Sequence, residues 1–164
     1  MVGALGTVSD RLVGGMMFHS DHADLMGLIG VDGLRKMHER GFRDDSHNMR
    51  KVRRACMSQL GKMPPHGNQE RTKTLDSVAG RSNDNIGASE RQRLVRSSMA
   101  DWVKWESDTI AIYADACDKV AGNACLWELV RGLQADTEKE LARAKRLMQE
   151  FDACGYDMCH IYEM

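Results

Sequence analysis

Apolar residues recur at spacings of three and four along most of the chain, and the breaks in that rhythm fall at glycine, proline and asparagine. The pattern predicts four helices. The first runs from about Ser9 to Leu28 on Leu12, Met16, Ala23, Met26 and Ile29, and ends at a turn marked by Gly30, Asp32 and Gly33. The second runs from about Leu34 to Lys62, weakened at Gly41, with Met49, Val52, Cys56, Leu60 and Met63 as its stripe. Pro64-Pro65-His66-Gly67 stops it. The third starts at Ser89, which with Gln92 fits a capping box, and carries Met99, Trp102, Glu106, Ile110, Tyr113, Cys117 and Val120. After a Gly122-Asn123 turn, the fourth extends from Ala124 to about Phe151 on Trp127, Val130, Leu133, Thr137, Leu141, Ala144, Met148 and Phe151, with Gly155 as its C-cap region.

Connection lengths turn this list into a topology. Two short turns make helices one and two, and helices three and four, antiparallel neighbours. The polar stretch over 64–88 is long for a loop inside a compact domain, and suits a segment that runs the length of the bundle. The expected fold is all-α: one domain over 1–164, a four-helix bundle with one long crossover between helices two and three.

Composition narrows the class. Lys plus Arg is 23 and Asp plus Glu is 24, a balance that argues against a dedicated nucleic-acid partner. Aromatics make up only 5% while Met numbers 12, which suits packed helices better than sheets. No run approaches the roughly 20 apolar residues of a membrane span, and the N-terminus lacks the pattern of a secretory signal. The odd set of Cys56, Cys117, Cys125, Cys154 and Cys159 reads as reduced thiols, so a cytoplasmic location is expected. No phosphate loop, nucleophile elbow or dinucleotide-binding glycine pattern occurs.

The second half resembles bacterioferritins and other ferritin-like proteins. The likeness is carried by Ala100-Asp-Trp-Val-Lys-Trp-Glu106-Ser-Asp-Thr-Ile-Ala-Ile-Tyr113, by Leu126-Trp-Glu-Leu-Val-Arg-Gly-Leu-Gln-Ala-Asp136-Thr-Glu-Lys-Glu140 and by the terminal Gly155-Tyr-Asp-Met-Cys-His-Ile-Tyr. It covers roughly 90–164 and is weaker over Gly33–Pro64. The resemblance implies a ferritin-like bundle, a symmetric homo-oligomer and binding of iron or another divalent metal. If the chain is an enzyme, it implies a ferroxidase-like oxidoreductase acting on iron with oxygen or peroxide. The ligand pattern departs from the family's. Glu106 matches the third-helix Glu, but on helix four Thr137 stands at the Glu position and Glu140 at the His position. Helix two has no Glu-x-x-His, with Asn48 and Lys51, or His47 and Arg50, as the nearest pairs, and the helix-one Glu falls near Gly15 or Met16.

The residues themselves leave several readings open. Glu106 lies on an apolar stripe, where a carboxylate must be paired, protonated or bound to a cation. Glu140 sits in a charged stretch and reads equally as a solvated residue. His19 and His22, three apart, can present two imidazoles to one metal, although a partly exposed pair is the simpler reading. The candidate metal site is thus Glu106, Glu140, His19 and His22, and Lys51 is the candidate ion-pair partner in place of metal. Cys154, Cys159 and His160 match no standard zinc spacing. Met49 belongs to its apolar stripe more simply than to a haem site, and haem is not expected. Met17, Phe18 and Met57 lie off the stripes and are candidate subunit contacts. The alternative to a metal protein is a non-catalytic structural or interaction bundle that has lost the two-metal centre.

Overall fold

A computed structural model describes residues 1–63 and 86–154. It holds four helices: α1 (Val2–Leu28), α2 (Asp32–Leu60), α3 (Ala88–Val120) and α4 (Ala124–Ala153), with no strand among the described residues. Each is about 40–50 Å long at 1.5 Å per residue. Among the described residues, no helix is long and apolar enough to cross a membrane.

The first three helices start earlier than the sequence pattern suggests, and α4 starts at Ala124 as expected. α1 begins at Val2, because Ala4, Leu5 and Val8 continue its buried face beyond Ser9. Asp32 and Gly33 belong to α2, and the turn before it narrows to Gly30, whose φ of 74° suits a residue without a Cβ. α3 begins at Ala88 with Gly87 as N-cap, so the Ser89–Gln92 capping box does not form. At α4, Asn123 Oδ1 accepts the Leu126 N–H at 3.1 Å and closes the start of the helix. The expected C-cap at Gly155 lies outside the described residues, as does nearly all of the crossover.

α1 packs most closely on α2 and α3 on α4; α1 also meets α3, and α2 meets α4 more loosely. The core divides in two. One apolar cluster joins the C-terminal half of α1 to the N-terminal parts of α2 and α3 and the C-terminal part of α4, through Met26, Leu34, Met99 and Phe151. The second joins the other ends, through Leu5, Val52, Val120 and Leu126. α2 therefore finishes at the end of the bundle opposite to the one where α3 starts, and residues 61–87 connect the two ends.

Burial follows a stricter register than the one chosen from residue size. On α4 the inward positions are Leu126, Val130, Leu133, Thr137, Glu140, Ala144, Leu147 and Phe151. Trp127 stands 42% exposed, one residue out of phase. Phe18 is buried in the first cluster and is no subunit contact, whereas Met57 is exposed. This register separates two neighbouring residues sharply. Leu126→Ala is expected to lower unfolding free energy by about 2–5 kcal/mol, and Trp127→Ala by less than about 1 kcal/mol. Urea denaturation of the two variants measures the difference, and equal losses contradict the register.

Candidate functional site

Between the two apolar clusters the same stripes turn polar. On α1 the inward run 5, 8, 12, 15, 19, 22, 26, 29 passes through Gly15, His19 and His22. Extending the α2 stripe upstream from Met49 and Val52 reaches Asp45 and His38, both on the same face. α3 contributes Glu106 and Thr109, and α4 contributes Thr137 and Glu140. Every helix thus sends polar side chains into one layer at mid-height.

A cavity of about 380 Å³ opens in this layer along the loose seam between α2 and α4. His19, Asp45, Glu106 and Glu140 line it, one from each helix, with Leu12, Trp102 and Tyr113 as neighbours. Glu106 is only 7% exposed. The Trp102 indole N–H donates to its Oε1 at 3.0 Å, and its Oε2 has no hydrogen-bond donor among the described residues. Burial lifts the Glu106 carboxyl to about 7 against the opposing Trp102 hydrogen bond, with Glu140 adding to the rise and Arg11 opposing it. Burial also raises Asp45 well above the ordinary carboxyl range, and the nearby Glu106 raises it further.

Next to the cavity lies a histidine cluster. His19 Nδ1 and His38 Nδ1 are 3.0 Å apart, so one ring donates to the other. His19 Nε2 is 4.0 Å from Asp45 Oδ2. Burial holds the His19 imidazole neutral down to about 3, with His22 contributing, and burial likewise lowers His38 well below the usual imidazole range. His22 is buried too, but it does not line the cavity. Its Nδ1–H donates to the Phe18 carbonyl at 2.9 Å, and its Nε2 lies 3.8 Å from Asp101 Oδ2. The simpler expectation of a partly exposed His19–His22 pair is therefore corrected: His19 is 5% exposed and His22 1%.

Two close helix approaches make room for these groups. A Cβ at Gly41 would fall 2.5 Å from His19 Nε2, and one at Gly15 would overlap the Asp45 carboxylate. On the far side of the layer, Arg11 donates to Thr109 Oγ1 at 2.7 Å and to the Trp105 carbonyl at 2.6 Å. Its guanidinium also lies 3.3 Å from the centre of the Trp105 ring, tying α1 to α3.

Of the residues expected from sequence, Glu106, Glu140 and His19 meet at the cavity and His22 does not. Lys51 lies at the mouth, exposed, donating to Asn48 Oδ1 at 3.4 Å, and forms no ion pair with Glu106 among the described residues. Asp45, His38, Arg11 and Gly15 join the layer without having been singled out as site residues from sequence. No set of three or more His, Cys, Asp or Glu side chains is assembled to hold one metal ion among the described residues.

These shifts fix the pH dependence of stability. Glu106 has its folded value raised from 4.5 to about 7, so its contribution is complete below 4.5 and is lost as pH rises through 7. His19 has its folded value lowered from 6.5 to about 3, so its contribution is complete above 6.5 and is lost as pH falls toward 3. Asp45 and His38 act in the same senses. The melting temperature is expected to be highest between pH 4.5 and 6.5 and to fall on either side. Glu106→Gln is expected to flatten the alkaline limb, and calorimetry across pH reads both limbs. A melting temperature that climbs steadily up to about pH 8 contradicts this balance.

Compared with known proteins, the chain matches no family model, no curated protein and no solved structure.

Proposed function

We propose that the protein is a ferritin-like bundle that binds one divalent cation in the mid-layer cavity, with iron as the candidate that the sequence resemblance implies. The supporting observation is the meeting of Asp45, Glu106, Glu140 and His19, from four different helices, around one cavity. Oxygen donors with one imidazole suit a hard or intermediate divalent ion. A dication also offsets the cost of placing several carboxylates together, a cost otherwise relieved by protonation. Glu106, a buried residue whose Oε2 accepts no hydrogen bond among the described residues, supplies the strongest individual candidate for a ligand atom.

The family's two-metal centre does not fit these residues. Gly15, Asn48 and Thr137 offer no carboxylate, Lys51 and Glu140 are not imidazoles, and no three donors are assembled among the described residues. No oxidation step is assigned to the site for that reason.

A second reading, a non-catalytic bundle that has lost the metal centre, is favoured by the same lack of an assembled donor set. Calorimetric titration with Mn²⁺, on protein purified without a metal-affinity tag, separates the two. The cation reading expects one ion per chain, with Glu106→Gln weakening binding at least about tenfold, because an amide is a poorer ligand than a carboxylate for such an ion. No Mn²⁺ or Fe²⁺ binding by the wild type, together with no metal in the purified protein, leaves the structural reading.

The resemblance further implies a homo-oligomer, for which exposed Phe42, Met57 and Trp127 are candidate contacts. Light scattering is expected to give a mass that is a multiple of 18.4 kDa, and a stable monomer contradicts the proposal.

A further inference from the structure

We infer that the mid-layer cavity is a binding site for a small organic ammonium ion, a primary alkylamine whose charged head meets Glu106 and the Tyr113 hydroxyl. The inference does not rest on the divalent-ion reading. A metal ion needs several donors converging on one point, and no such group is assembled among the described residues. An ammonium head needs less: one carboxylate, one or two further acceptors, and room for its carbon chain. The cavity offers each of these with the side chains where they stand. Glu106 and Tyr113 both line it, and they are only 7% and 2% exposed. The Trp102 indole engages Glu106 Oε1, whereas Oε2 accepts no hydrogen bond among the described residues. The Tyr113 hydroxyl likewise forms no hydrogen bond among them. The two groups are close enough for the charges of Glu106 and Asp45 to act on the phenol.

Size and charge narrow the ligand. At about 380 Å³ the cavity falls within the range of small-molecule sites, roughly 300–1,000 Å³. Leu12, Trp102 and Leu133 supply apolar wall for a short carbon chain. Facing Glu106 are Asp45 on α2 and Glu140 on α4, Tyr113 on its own helix, and Arg11 and His19 on α1. Arg11 is engaged by Thr109, the Trp105 carbonyl and the Trp105 ring, and burial keeps His19 neutral. Arg40, Lys51 and Lys139 also line the cavity but stay exposed, and Arg143 pairs with Glu140. An anion thus meets carboxyls at depth, and a neutral alcohol leaves their charge without an opposite. A bound ammonium favours the ionised carboxylate and drives a proton off Glu106, whose carboxyl otherwise stands at about 7.

Calorimetric titration of the full chain with n-butylammonium chloride at about pH 6, beside 1-butanol and sodium butyrate, tests this. Butylammonium stays charged at that pH, as the lysine amine does. It is expected to bind once per chain and at least about tenfold more tightly than butanol, with no binding of butyrate. Titration in two buffers of different ionisation enthalpy is expected to show at least about half a proton released per amine bound, and none with butanol. Glu106→Gln is expected to abolish the preference for the ammonium over the alcohol. Tyr113→Phe keeps the packing of the ring and is expected to weaken amine binding about tenfold. It keeps the test open if Glu106→Gln fails to fold. Butylammonium that does not bind, or binds no more tightly than butanol, overturns the inference. So does binding that both variants leave unchanged, which puts the amine elsewhere. Mn²⁺ is titrated in parallel, and its binding without that of butylammonium overturns this inference alone and leaves the divalent-ion reading standing.

Discussion

The central constraint on this bundle is the burial of ionisable groups between two apolar clusters. Glu106, His19, His22 and His38 lie in a layer that the clusters close off above and below. An interior of this kind disfavours charge, so the Glu106 and Asp45 carboxyls move toward their protonated forms and the His19 and His38 imidazoles toward neutrality. The remaining features of the site follow from that requirement. Polar side chains in such an interior need a partner or an opening to solvent: Glu106 has the Trp102 indole and the cavity, and His19 and His38 bond ring to ring, whereas His22 Nε2 is buried without a hydrogen-bond partner.

Where the cavity opens is set by how tightly the helices are tied. Arg11 locks α1 to α3 through two hydrogen bonds and the face of Trp105, and this side of the layer is closed. Glycines at 15 and 41 let α1 and α2 approach closely enough for side chains of one to rest on the backbone of the other. Between α2 and α4 the contact is looser. Their facing surfaces carry the polar side chains of Asn48, Lys51, Asp136, Thr137 and Lys139, and the seam between them is the way in. Charged neighbours on this seam pair mainly within their own helix, as Lys139 does with Asp136 and Arg143 with Glu140. Such exposed pairs contribute little to holding the helices together.

Much of the fold was legible in the sequence because helix periodicity, short turns and one long polar connection are local signals. The four helices were found, with errors at their starts where small or polar residues continue a buried face, as from Val2 to Ser9. The site was harder to read for a physical reason. A stripe chosen by the largest apolar side chains favours Trp127, Leu141 and Met148 on α4, which places Glu140 beside the inward face. Packing instead selects Leu126, Ala144 and Leu147, and in that register Glu140 lies at the edge of the cavity. Likewise, Asp45 and His38 lie on the continuation of the Met49–Val52 stripe, but stopping at the last apolar residue hides them. Continuing each stripe through its polar positions at the three-and-four spacing would have found both. The close approach of Asp45 to Gly15 has no such signal, since it depends on how two helices pack.

The division of the core has a consequence for how the protein tolerates change. The two apolar clusters share no side chain, and the polar layer between them is held by directional bonds that do not transmit a change in volume as close packing does. A cavity or an extra methylene introduced at Leu34 is felt by Met26, Met99 and Phe151, and not by Val52 or Leu126. Energetic effects of substitutions in opposite clusters should therefore add, whereas those within one cluster should couple. Drift in sequence at one end of the bundle needs no matching change at the other. The ends can diverge in residue choice at separate rates while the same four polar positions stay in register between them.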